Sequence, residues 1–183
     1  MSKNLKFVLF SSYMLLFILV LSSHSIAQKS AKDKKLESDC SFAREAFISK
    51  DKLMKNLFDN ATAYVIFPNV GKGGFIVGGA MGNGILYQKG KPVGKAKLTQ
   101  LSAGLQAGGQ SYSEVIFFEN QDVLNKFKEN KVEFSASASA VIANEGAAAN
   151  QNYKDGVMIF VHVKGGLMLE VSAGGQQFKY SEF

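Results

Sequence analysis

His162 is the single histidine beyond the first 27 residues, and it stands inside the apolar stretch 157–163. As a general base or metal ligand it would need acidic or cysteine company, and the neighbouring sequence supplies neither. It is therefore expected to be a strand residue that faces water or is satisfied in the interior. Glu114, Glu119 and Glu170 are scattered over strand-like segments and read as solvent-facing sheet positions instead of a paired-carboxylate site. The glycine run tempts a nucleotide loop. Yet Gly71 and Gly73 are followed by Ile76 where a dinucleotide fingerprint needs glycine, and no Gly-Lys-Ser/Thr triplet exists for a phosphate loop. No nucleophile-elbow pattern appears. The lone Cys40 rules out an internal disulfide framework and is expected to be buried. This inventory predicts a non-catalytic protein without metal or cofactor.

The remaining candidates are cationic. Lys89, Lys91, Lys95 and Lys97 cluster around Gly90 and Pro92, on an expected loop or hairpin. There they would meet an anionic headgroup or simply protect a strand edge. Arg44, Lys50, Lys52 and Lys55 flank Phe42, Phe47, Met54, Leu57 and Phe58 at helical spacing. An amphipathic helix of that make-up either lies in a membrane interface, where its apolar groups insert, or packs its stripe on a sheet. The formal charge of +6 and the pI near 9.3 come without an arginine cluster or recognition motif, so nucleic acid is not expected as a partner.

Distinct zones must position these groups. Residues 1–27 read as a secretory signal: Lys3 and Lys6 form a positive n-region, and residues 7–21 an apolar h-region. Ser25 and Ala27 occupy the small-residue positions before cleavage, with Gln28 as the mature N-terminus. The apolar run is about 15 residues and is interrupted by Ser11 and Ser12, shorter than the roughly 20 that a spanning helix needs. Residues 28–38, rich in lysine and poor in apolar groups, read as a flexible charged tail. Residues 39–61 carry helical periodicity, with Ser49 as the expected cap of a second helix after a short break.

From Thr62 onward the period changes to two. The run 63–67 is a compact strand that Pro68 is expected to stop. Gly74, Gly78, Ala80, Gly82 and Gly84 share one parity, and Ser135, Ser137 and Ser139 alternate with alanines. Small-residue texture returns at 102–109 and 172–175. Such segments present nearly bare faces that let another backbone approach closely, so the phenylalanines must supply the core. Residues 115–118 and 157–163 are the strongest buried strands. Residues 121–128 form a short amphipathic helix carrying Val123, Leu124 and Phe127.

Several of these segments together resemble the SYLF family. Phe67-Pro68 followed by Lys72-Gly73-Gly74-Phe75 is similar to its signature opening. Gly84-Ile85-Leu86, the segment Gly104-Leu105-Gln106-Ala107-Gly108, the 135–140 strand and Lys164-Gly165-Gly166-Leu167 follow in the family's order. The likeness spans about residues 43–180. It implies a non-catalytic lipid-binding module that is exported in bacterial members, and it adds Lys72 as a candidate contact. Pro92-Val93-Gly94-Lys95-Ala96 stands where the family has a Trp-Ser-Pro-like stretch, and no cytoskeletal role is expected.

The expected fold is α+β: a single domain over 39–183, with an N-terminal helical segment packed on a largely antiparallel, strongly curved Gly-rich sheet or partly closed barrel. The expected partner is an anionic phospholipid or membrane surface, met in the periplasm or outside the cell. The rival expectation is a structural, self-associating or protein-interaction module of the envelope.

Overall fold

The computed structural model describes residues 31–74, 77–103, 110–131, 140–165 and 175–183, with the backbone alone at 72–74, 77–78, 101–103, 110 and 165. The signal-like residues 1–27, most of the 102–109, 135–140 and 172–175 segments, Glu170, and the side-chain surroundings of Lys72 and Gly78 lie outside it. Two compact units divide the chain, Met1–Glu37 and Ser38–Phe183. In the first, residues 31–37 are helical, although their composition suggested a tail. Lysine, glutamate and alanine are strong helix formers, so scarcity of apolar groups does not prevent the helix.

Helix α1 covers residues 31–50 in all. Ser49 stays within it, and the break falls at Asp51 instead. The buried Asp51 carboxylate accepts the Leu53 amide on Oδ1 at 3.0 Å and the Ala148 amide on Oδ2 at 2.8 Å. One side chain thus ends α1, leads into α2 (Met54–Asn60) and ties both to a remote 3₁₀ turn at Ala148–Asn150.

The strands are β1 (Ala63–Gly74), β2 (Val77–Gln88), β3 (Lys91–Ala103), β4 (Gln110–Phe118), β5 (Val141–Ile142), β6 (Val157–Gly165) and β7 (Gln176–Glu182). Helix α3 (Gln121–Lys128) follows β4 over the predicted range, and the Asn120 side chain caps it by accepting the Val123 amide. The sheet order is β5-β6-β4-β1-β2-β3-β7, antiparallel except for the β5–β6 pair. The class is α+β, and the sheet is not closed.

Pro68 does not stop β1. The strand runs through it by a bulge, since the registers with β2 and β4 both shift just around this residue. A bulge is a place where a missing amide donor costs no ladder hydrogen bond. The freed Pro68 carbonyl accepts Ser113 Oγ at 2.8 Å and Lys164 Nζ at 2.7 Å, which clamps β4 and β6 onto β1. On β2 the bulge is matched by a glycine. A Cβ on Gly84 would stand 2.4 Å from the Ile66 carbonyl oxygen, and one on Gly82 3.0 Å from Val70 Cγ2. The crowded-face reading therefore holds at Gly82 and is stronger at Gly84.

Each sheet face has its own cover. Val65, Phe67, Leu86, Leu98, Ile116, Phe118, Val161 and Phe178 form the inner core, together with Leu124 and Phe127 of α3. On the outer face, Phe58 of α2 packs edge-on against Tyr64 and Phe117, each with ring centroids 5.0 Å apart. Phe47 and Met54 are wholly buried as well, and so, as expected, is Cys40. The phenylalanines thus supply the core the glycines cannot.

Side chains of β4 and β7 also meet across the inner face. Gln176 Nε2 donates to Glu114 Oε2 at 3.0 Å, although β1, β2 and β3 lie between the two strands. In a flat sheet four strand spacings would hold them about 19 Å apart. This contact also corrects the expectation for Glu114: it is a buried residue on the inner row, between Tyr112 and Ile116.

Candidate functional site

The helical basic group sets charge beside apolar side chains on α1 and α2. Arg44 is held within the helical layer, paired with Glu45 at 3.1 Å and Asp59 at 3.6 Å, its guanidinium 5.0 Å from the centre of the Phe58 ring. Lys55 is ion-paired to Asp59 one turn along α2. Lys50 and Lys52 are exposed. Phe47, Met54 and Phe58, however, are buried against the sheet. These three side chains pack on the sheet and are not free to insert into a membrane. Phe42 and Leu53 are the large apolar side chains of this zone that remain exposed.

The second group takes the hairpin alternative. Lys89 and Gly90, both at positive φ, make the tight turn between β2 and β3, as two-residue hairpins require. Lys91 opens β3, and Lys95 and Lys97 lie along it on the outer face, alternating with the buried Ala96 and Leu98. Register then brings in a residue that sequence reasoning missed. Lys97 stands directly opposite Lys179 on β7, with Asn83 of β2 on its other side. The next row in one direction is Met81–Thr99–Gln177, and in the other Ile85–Lys95–Ser181.

This part of the outer face is open. Lys97, Lys179, Asn83 and Gln177 are exposed and Met81 is 65% exposed, whereas α1 and α2 cover the β1–β4–β6 side. Lys95 lies 5.8 Å from the ring centre of Phe183. Among the described residues neither Lys97 nor Lys179 makes an ion pair. Two ammonium groups directly opposite one another destabilise an antiparallel pair, so the arrangement costs the fold something and favours an anion. Lys179 was illegible because the β3–β7 pairing that gives it meaning is non-local.

Residues with catalytic potential do not converge. His162 packs edge-on against Phe47, ring centroids 6.2 Å apart. Burial first, and then the ammonium groups of Lys50 and Lys164, hold its imidazole below the ordinary histidine range. Lys164 is engaged with Pro68 O and, at 2.9 Å, with Asn69 Oδ1. Glu119 is exposed beyond the end of β4. Among the described residues no group of three or more His, Cys, Asp or Glu is placed to hold a metal ion, and no helix is long and apolar enough to cross a membrane.

The family model described as Ysc84, Las17-binding protein actin regulator, matches residues 99–181. Over that stretch the chain is similar to the SYLF family. The matched stretch takes in the end of β3 and everything from β4 to Ser181, hence Glu114, Gln176 and Lys179. Lys97 and the Pro68 bulge precede it. No curated protein matches the chain.

Proposed function

We propose that this SYLF-like domain is a non-catalytic lipid-binding module that docks on anionic phospholipid surfaces through the open outer face of β2, β3 and β7. The observation that carries this reading is the unneutralised Lys97–Lys179 pair, with Lys95 one row away and the exposed Met81 beside it. Near an anionic membrane each lysine is worth about 1 kcal/mol, an attraction that salt screens. Met81 adds an apolar group able to enter the headgroup region.

Reversing both lysines, Lys97→Glu with Lys179→Glu, turns two attractions into two repulsions. That is roughly 4 kcal/mol, or about a thousandfold in affinity. Co-sedimentation with phosphatidylglycerol vesicles at low salt checks it, with phosphatidylcholine vesicles as the neutral control. The double variant is expected to stay in solution while Lys50→Glu/Lys52→Glu/Lys55→Glu sediments like wild type, both with unchanged melting. Equal sedimentation of the Lys97/Lys179 variant and wild type refutes the assignment. If wild type ignores acidic vesicles yet elutes as an oligomer on sizing, the module is one of self-association.

We also propose that the protein works outside the cytoplasm, released by cleavage before Gln28. The support is the short apolar run with small residues at Ser25 and Ala27. Intact-mass measurement of the exported protein is expected to give a chain starting at Gln28. A membrane-bound species still carrying Met1 to Ala27 refutes it.

A further inference from the structure

Glu114 carries a wholly buried carboxyl whose Oε2 accepts one hydrogen bond, from Gln176 Nε2 at 3.0 Å. Glu114 Oε1 and Gln176 Oε1 are both buried, and neither has a hydrogen-bond partner among the described residues. The two side chains already joined by one bond thus carry one idle acceptor each. A single proton resolves both. A carboxylic acid and a primary amide can form two hydrogen bonds side by side, amide N–H to one carboxyl oxygen and carboxyl O–H to the amide oxygen. A carboxylate has no donor to give. Ionised, it would keep the one Gln176 N–H bond but leave charged Oε1 and the amide oxygen facing each other unpaired in a buried site, and both are costly there.

The geometry points to a proton-held clasp: with its proton on Oε1, Glu114 pins Gln176 and the start of edge strand β7 across the inner face, and loss of that proton releases it. The surroundings suit such a device. Phe67 of β1 and Val161 of β6 stand beside Glu114 in register, and Gln100 of β3 is the register partner of Gln176. Tyr112, on its own strand, is the titratable group facing it among the described residues. Burial, and then the Glu114 charge, push that hydroxyl up. No described cation acts on the carboxyl, and burial raises it to about 7. The far end of β7 has separate anchors: Asn130 Oδ1 accepts the Tyr180 amide at 2.6 Å, and Phe178 packs on Phe67 and Phe127. Release is therefore confined to the segment around Gln176. This inference is independent of what the lysine face binds.

Native-state hydrogen exchange on the purified protein, corrected for the intrinsic pH dependence of exchange, tests the clasp. Between about pH 5.5 and 8.5, protection of the amides around Gln176 is expected to fall at least about tenfold, while that of Tyr180 holds. Glu114→Gln keeps an N–H donor in place of the acid O–H, so its protection is expected to be the same at both values. Corrected protection that is unchanged in wild type, or lost equally in Glu114→Gln, overturns the clasp. Should the variant fail to fold, infrared spectra of wild type decide. A protonated-carboxyl band present at about pH 5.5 and gone by 8.5 supports the clasp, and its absence at the lower value overturns it.

Discussion

Replacing Gly84 with alanine is expected to lower the melting temperature by about 10 °C, although alanine adds one methyl group to a strand. The new Cβ would lie 2.4 Å from the Ile66 carbonyl oxygen, 2.6 Å from Phe67 Cδ1 and 3.0 Å from the Ile66 carbonyl carbon. Two of these neighbours are backbone, and the third is a ring packed on Phe178, so nothing nearby yields cheaply. Relief requires β1 and β2 to separate at the Pro68 bulge, where the Ser113 and Lys164 hydrogen bonds hold β1 in place. Overpacking of this kind costs roughly 1–3 kcal/mol and sometimes more. A backbone clash belongs at or above the top of that range, and each kcal/mol moves the midpoint about 2–4 °C at this chain length. Gly71→Ala is the control. Its Cβ meets nothing within 4 Å, so removing a strand glycine there is expected to be neutral or stabilising by about 0.5–1 kcal/mol. Equal melting temperatures for the two variants would dismiss close strand approach as the reason for the glycine.

The glycine spacing made this crowding legible, as parity alone put Gly82 and Gly84 on one face. Local signals also located α3, the 115–118 and 157–163 strands and the burial of Cys40. Pro68 was misread because its missing donor argues against a ladder partner only while the ladder is regular, and a bulge cannot be read from one strand. Glu114 was misread for a related reason. Both parities of β4 are apolar around it, so alternation does not say which face it takes. Its hydrogen-bond partner Gln176 lies 62 residues away. The helical stripe was legible as amphipathic, while its destination depended on Tyr64 and Phe117, aromatic rings on two different strands. The lysine site was half legible. Lys95 and Lys97 were found from composition, whereas Lys179 gains meaning only through the β3–β7 register.

Stability is expected to fall as pH rises from about 4.5 to 8, the reverse of what a salt-bridged carboxylate would produce. The Glu114 carboxyl is raised from 4.5 to about 7 by burial, partly opposed by the Gln176 hydrogen bond. With the folded value above the unfolded one, the folded chain holds more protons through this interval, and stability decreases with pH. The contribution is fully present below the unfolded value and is lost as pH passes through the folded one. A carboxyl moved that far corresponds to roughly 3 kcal/mol. His162 works in the opposite sense. Its folded value is depressed, so its contribution is present above the unfolded value and lost as pH falls, but the ring is only partly buried and its effect is discounted accordingly. Asp59, depressed by its hydrogen bond with Lys55, is exposed and titrates below this window. Glu114→Gln isolates the buried acid: urea unfolding of both proteins between about pH 5 and 8 is expected to show the variant gaining on wild type by roughly 3 kcal/mol as pH rises. If the two stability curves stay parallel over that range, Glu114 is ionised in the folded protein throughout, and the carboxyl has found a donor that is not among the described residues.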